Sequence, residues 1–408
     1  MERKIVMIVI VLAFLCQGAL AQRNTVSGTV IDASDGRKIV GASISAEGMG
    51  VKVVTNADGY FTLKTDSMPD FIVVSHLGYR SQHVSLNRTG SRSLTIHMQP
   101  ITIQLNEVLV TSNDPRELVM AAIQKIPHNY SRQPELHQCF YRETAMKRQH
   151  YICVAEGVVN MYKTGYGRIL GRDRVAIHKG RRLLSPRKSD TLSVKVLGGP
   201  VGPVQLDVVK NLDLLLNADE LALYDMKLEL PEIIADRRQY VVNISPSGIA
   251  DWPLYYGKLY IDEETLAFTR VDLTLDMRDR DKATRMMLVK KPQGVRFRPK
   301  ELSLLVDYRR GDDGLMRISY VRTTFRFNCD WRRRLLATAF TATCEMVVTN
   351  STSGPDVQPI RGRESFDQHD AFFDKVEFFR DSTFWQRYNI IEPTESLDRA
   401  IERILKKY

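Results

Sequence analysis

The residues able to do acid–base, nucleophilic or metal chemistry in this 408-residue chain are scattered, not clustered. A zinc peptidase needs two ligands close enough to reach one ion, typically His-x-x-Glu or His-Glu-x-x-His. None of His76, His83, His97, His128, His137, His150, His178 and His369 has Glu three residues on or opens the longer motif. The run GYGRILG, residues 165–171, lacks Gly-x-Gly-x-x-Gly spacing, and no Lys-Ser/Thr follows it to cradle a phosphate. No Gly-x-Ser-x-Gly elbow occurs. Cys139 and Cys153 lie near His137 and His150 in sequence, but a nucleophile–base pair is defined by geometry, not proximity along the chain. Glu263 and Glu264 are adjacent, so on a strand they face opposite ways and cannot converge as paired carboxylates. The pattern predicts no catalytic residue, no metal and no cofactor.

The nonapeptide TNADGYFTL, residues 55–63, poses a calcium question. An EF-hand loop requires an acid two residues before Asn56 and a bidentate Glu at 65, where Val54 and Thr65 stand. Turn chemistry explains the stretch better. Asn56 and Asp58 can bond their own backbone, and Gly59 tolerates positive φ.

The elements that would position such residues are mostly strands. From 25 to 110, alternating runs such as TVSGTVID, VGASISAEG, VKVVTNADGYFTLKT and SLTIHM recur with turn signals between them, which predicts an all-β sandwich. Val51, Val53, Phe61 and Leu63 should point into its core by the two-residue period. VSGTVIDASDGRKIVGASISAEG, TNADGYFTL, FIVVSHLGYRSQHVSL and LNEVLVT resemble the carboxypeptidase-like regulatory domain. That resemblance implies a transthyretin-like sandwich without catalytic residues, found beside metallocarboxypeptidases and in Gram-negative envelope proteins, including TonB-dependent receptors. The peptidase activity does not carry over, because the zinc motif is missing.

Asp114, Pro115 and Glu117 predict a capped helix over 114–126, with Leu118, Val119, Ala122, Ile123 and Ile126 as its apolar stripe. From about 134 to 350, long alternating strands with hairpin turns predict an open or half-closed antiparallel β-barrel, a half-barrel-like domain with a few helices. The hairpin GKLYIDEETLAFTRVDL resembles those of LolA/LppX-type lipoprotein-carrier domains, which implies an apolar or lipid-like ligand. Residues 351–363 read as a linker, and Leu397, Ile401, Ile404 and Leu405 as one side of a C-terminal helix. The aromatic residues Phe372, Phe373, Phe378, Phe379, Phe384, Trp385 and Tyr388 read either as a flap closing the β-domain or as a docking surface; the interface reading centres on Phe378, Phe379, Phe384, Trp385 and Tyr388.

The first 21 residues pair Arg3 and Lys4 with an apolar run from Ile5 to Leu15 and end in Ala19-Leu20-Ala21. They predict a secretory signal cleaved after Ala21, with a lipid anchor at Cys16 as the rival. Export permits disulfides among Cys139, Cys153, Cys329 and Cys344; the alternative is that all four are small buried apolar residues. The formal charge of +10 favours anionic partners, and the basic clusters at 179–182, 290–291 and 332–334 are solvated tips or contacts to such partners. Export argues against nucleic acid.

The expectation is therefore a mainly β protein: signal peptide 1–21, sandwich 25–110, a mostly antiparallel β domain 111–350, and a tail 351–408. Its expected function is non-enzymatic binding or assembly in the periplasm or at the outer membrane. The sandwich would dock to an envelope protein or receptor, and the second domain would hold a lipid or glycan. The alternatives are a hydrolase whose cleft is assembled only in three dimensions and an adaptor of a TonB-dependent receptor.

Overall fold

Alternation of apolar residues along the first described stretch builds seven short strands: β1 Asn24–Asp32, β2 Ser43–Ala46, β3 Val51–Val54, β4 Tyr60–Thr65, β5 Phe71–Ser75, β6 Gln82–Ser85 and β7 Leu94–Met98. A computed structural model describes residues 24–86, 93–101, 114–167, 172–186, 198–287, 294–331, 337–378, 385 and 388–406. The expected signal peptide lies outside the described residues. The seven strands form two sheets, β4-β1-β7 and β3-β2-β5-β6. Val53, Phe61 and Leu63 are fully enclosed between them with Val30, Ile44, Ile72 and Val74, and Val51 packs at the margin. The TNADGYFTL turn is held by Asn56, whose Oδ1 accepts the N–H groups of Asp58 and Tyr60, both at 2.9 Å. Gly59 sits at φ +72°, where a Cβ would come within 2.7 Å of the Val30 carbonyl oxygen.

Helix α1, Pro115–Asn129, starts as the sequence predicts: the Asp114 side chain accepts the Arg116 N–H at 2.8 Å and Pro115 occupies the first turn. It runs three residues past the expected end, through Pro127. Leu118, Val119, Ala122 and Ile126 are buried, each large one contributing about 1.5–3 kcal/mol of apolar burial.

The remaining strands form a single open sheet of twelve: β8 Glu135–Lys147, β9 His150–Lys163, β10 Arg174–Leu184, β11 Tyr224–Leu228, β12 Glu232–Ile234, β13 Arg237–Pro246, β14 Tyr255–Asp262, β15 Phe268–Leu275, β16 Val295–Arg310, β17 Met316–Trp331, β18 Thr338–Ser353 and β19 Glu377–Phe378. Their order is β11-β13-β14-β15-β16-β17-β18-β8-β9-β10-β19, with β12 on β13, and the sheet does not close. Pairing is antiparallel except between β10 and β19. The half-barrel-like sheet expected from the hairpins is thus present. β18 extends to Ser353, into the expected linker, because it pairs along the whole of β8.

Two-residue periodicity gives this sheet two buried faces. The inner face, carrying Tyr141, Val159, Met161, Leu304, Val306 and Tyr308, packs against α1 and the 198–223 segment in the largest core. The outer face, carrying Phe140, Val158, Tyr320 and Val347, packs against Val54 of the sandwich together with Trp385, Ile390 and Ile391 of the tail. A strand sheet buried on both faces explains why its strands carry apolar residues at both parities. The last helix, α2 Glu395–Leu405, caps on Thr394 and lays Leu397, Ile401 and Ile404 against Val154 and Leu183.

Candidate binding surfaces

The inner face is filled by the chain itself. Lys163 ends β9 inside the core and pairs with Asp207 at 2.6 Å; Asp207 also accepts from the Tyr308 hydroxyl at 2.8 Å and the Tyr166 hydroxyl at 3.1 Å. Asp173 lies 3.6 Å from Lys163 and 2.8 Å from Lys210, which also donates to the Thr164 hydroxyl at 2.9 Å. Burial works against the charge on Lys163, but Asp207 and Asp173 outweigh it and hold the ammonium above its usual pKa. These bonds tie the 198–223 segment to the sheet. Within the described residues, the space an acyl chain would take on this face belongs to α1 and that segment. Glu143 lies on the same face without a cation in contact; the Tyr141 hydroxyl donates to it at 2.6 Å and burial pushes its pKa up to about 7.

On the outer face, Glu156 gathers Arg142 at 2.7 Å, Arg181 at 3.1 Å and the Trp385 indole N–H at 3.1 Å. Arg142 also donates to the Ile391 carbonyl at 2.7 Å, and Arg181 lies over the Trp385 ring at 4.9 Å. Burial raises the Glu156 pKa, but the two guanidinium groups reverse that and hold it low. The tail is stitched to the sandwich as well. Asn389 brackets the backbone N–H and carbonyl of Lys64 at 2.8 and 2.9 Å, Lys64 Nζ donates to the Trp385 and Tyr388 carbonyls, and Asn56 donates to the Pro393 carbonyl.

Between the sandwich and the outer face lie two adjoining polar cavities of about 410 and 340 Å³. Both are lined by Ser45, Lys52 and Val73 from the sandwich and by Arg309 and Arg310 from the end of β16. Residues Ser45 and Lys52 are cross-strand partners, as are Ser45 and Val73, on the side of the β3-β2-β5-β6 sheet opposite its core. Arg309 follows Leu305 and Asp307 on the outer face and stands opposite Arg317. The neighbouring carboxylates are engaged elsewhere: Asp307 by Arg270 at 2.6 Å, Asp313 by Arg317 at 2.6 Å, Asp262 by Arg237.

Sequence order misleads for the cysteines. Cys139 faces Val159 and Cys153 faces Ala145 across β8–β9; Cys329 faces Thr338 and Cys344 faces Thr323 across β17–β18. Each sequential pair is six positions out of register, far beyond the span a disulfide bridges. All four are free thiols, and burial pushes Cys329 up to about 11 and Cys153 up to about 12. Their role is that of small apolar residues. Of the expected aromatic docking surface, Phe378, Trp385 and Tyr388 turn to the chain itself: Phe378 packs by Leu183, Trp385 is only 5% exposed, and Tyr388 shares a 3.0 Å hydrogen bond with His178. Phe379 and Phe384 lie outside the described residues, as do the basic clusters at 290–291 and 332–334. Large apolar side chains stand exposed elsewhere, among them Leu230, Ile249, Trp252 and Tyr256, which no periodicity marked.

Among the described residues, no group of three metal-ligating side chains converges. One constellation has the composition of a hydrolytic triad: Ser351 Oγ is hydrogen-bonded to His137 Nδ1 at 2.8 Å, and Glu135 Oε2 lies 3.4 Å from Nε2. Its geometry is poor for that task. Nε2 makes no hydrogen bond, His137 is fully enclosed, and Glu135 is bound by Arg317 at 2.6 Å.

Sixty per cent of the chain aligns with 96% of a DUF1329 family protein from Desulfovibrio piger at 11% identity and a TM-score of 0.27. A putative outer membrane lipoprotein-sorting protein domain from Vibrio parahaemolyticus aligns over 60% of this chain and 95% of its own, at 7% identity and 0.28. For a LolA superfamily protein from Nitrosomonas europaea the shares are 57% and 94%, at 12% identity and 0.18. No curated protein sequence matches the chain. Residues 26–110, the seven-stranded sandwich with its TNADGYFTL turn, match the CarboxypepD_reg-like domain.

Proposed function

We propose that this is a non-enzymatic binding or assembly protein of the cell envelope, in which sandwich and large sheet act as one unit and the groove along their seam is the binding surface. The observation that carries this reading is the pair of polar cavities lined jointly by Ser45 and Lys52 of one unit and Arg309 and Arg310 of the other. Export rests on the basic-then-apolar N-terminus and the small residues at Ala19 and Ala21. The CarboxypepD_reg-like match supports a non-catalytic role for the sandwich. Partner contact is assigned to the exposed Ile249, Trp252 and Tyr256 rather than to the aromatic tail. The lipid or glycan ligand that the sequence reading places in the second domain is assigned here to the seam. The test is native mass spectrometry of the full chain isolated from envelope fractions. A bound small molecule lost on Ser45→Trp, which fills the seam, supports the reading; a clean apo mass from every preparation removes it.

A hydrolase reading has one observation in its favour, the Ser351–His137 hydrogen bond. A fluorophosphonate probe that labels Ser351, and fails to label a His137→Gln variant, would establish it.

A further inference from the structure

We propose that the seam between sandwich and sheet is a phosphate-binding site, with Lys52 and Arg309 as its two cationic arms and the hydroxyls of Ser45 and Ser75 as additional donors. This rests on the seam being the binding surface and names the chemistry of its ligand.

Lys52 is half-buried and makes no hydrogen bond or ion pair with the described residues. Arg309 is half-buried too, and of its five N–H donors one is used, by the Ser75 hydroxyl at 2.8 Å. Buried charges are ordinarily paired, because desolvation of a lone cation costs several kcal/mol. The strongest charge acting on Lys52 is of the same sign: burial first and Arg309 second push Lys52 down to about 8, while burial pushes Arg309 down to about 10 against the attraction of Asp307. The carboxylates on the sheet side that could have neutralised them are committed to Arg270, Arg317 and Arg237. Glu47 and Asp312 also line the groove, but both are exposed at its rim.

The donors are of the kind a tetrahedral dianion accepts. A guanidinium fork from the sheet, with an ammonium and two hydroxyls from the sandwich, can serve three or four oxygens at once. The Ser81 hydroxyl, which lines the second cavity, is itself buried without a hydrogen bond. A volume of about 410 Å³ admits a diphosphate or a phospholipid headgroup, so the phosphate can arrive free or on a lipid.

The test is calorimetric titration of the full chain with inorganic pyrophosphate, alongside flotation with phosphatidylglycerol vesicles and neutral phosphatidylcholine vesicles. Saturable binding of pyrophosphate, weakened about tenfold or more by Lys52→Met and by Arg309→Gln and retained by Lys52→Arg, supports the site. Flotation with the anionic vesicles alone, under the same dependence on Lys52 and Arg309, supports it and assigns the phosphate to a lipid. Lys52→Met should fold, since it removes an unpaired charge, so its loss of binding would not report unfolding. Binding that is absent for every probe, or unchanged in both variants, overturns the proposal. If the native mass then shows a neutral adduct sensitive to Ser45→Trp, the seam remains the binding surface and only the phosphate assignment fails; with no adduct, both fail.

Discussion

Two regions of this molecule take cations out of water, and they do so differently. On the inner face, Lys163 and Lys210 are answered by Asp207 and Asp173, with tyrosine hydroxyls completing the shell. At the seam, Lys52 and Arg309 line the same cavities without a carboxylate in contact: Arg309 donates to the Ser75 hydroxyl and feels Asp307 only through space. The first arrangement is what a folding chain needs to anchor a polar segment in a core. The second weakens the fold and makes sense where something else supplies the negative charge. On the reading proposed above, what sets the seam apart from the inner-face lysines is not burial but the missing carboxylate.

The largest effect should come from breaking the complete network. Asp207→Asn leaves Lys163 buried beside a neutral amide and should cost about 3–5 kcal/mol, read by chemical denaturation. A loss below about 1 kcal/mol would mean that the network is better hydrated than its burial implies. Glu143 sharpens the contrast from the acidic side, as a buried carboxyl with a tyrosine donor and no cation. Its raised pKa, about 7 against 4.5, means that the folded state holds a proton the unfolded state has lost between those values. Its contribution to stability is therefore full below pH 4.5 and is lost as pH rises to 7. Glu143→Gln should remove that slope and raise stability at pH 8 by about 2–3 kcal/mol.

The seam predicts the opposite sign for a cation. Lys52 is lowered from 10.5 to about 8, facing Arg309, Arg310 and Arg317 with Glu47, Asp312 and Asp313 at the margins. The penalty is full below pH 8 and is relieved as pH rises toward 10.5. Lys52→Met should therefore stabilise the ligand-free chain at pH 7 by about 2 kcal/mol, part of the shift being screened by residual solvent. That gain should shrink to nothing in denaturation curves near the upper limit of the range. The smallest effect belongs to the tail: Thr394 accepts the Leu397 N–H at 3.1 Å, and Thr394→Ala should cost about 1 kcal/mol, visible as earlier hydrogen exchange in α2.

Much of the scaffold was legible in the sequence. The strands of the sandwich, the Asn56 turn, the Asp114 cap and the α2 stripe are all marked by residue patterns within a few positions of one another. The seam was not legible. Arg309 reads as one more basic residue in YRR, and Lys52 as the polar member of an alternating strand. Nothing near either marks it as half-buried, because the partner surface lies on the far side of the chain. Which of the two cysteine readings holds was undecided in the sequence for a related reason. A hairpin brings its arms together but pairs residues by register, and a sequential Cys pair on long arms ends six positions apart.

The chain's local patterns determined which segments become strands and helices and which turns join them, since backbone dihedrals and short-range periodicity settle those. Tertiary structure alone decided which face of the large sheet the 198–223 segment fills, how the tail threads between sheet and sandwich, and which buried charges find partners. Strand pairing brings residues as distant as His137 and Ser351 into contact, and the free energy of a charge depends on everything that folds around it.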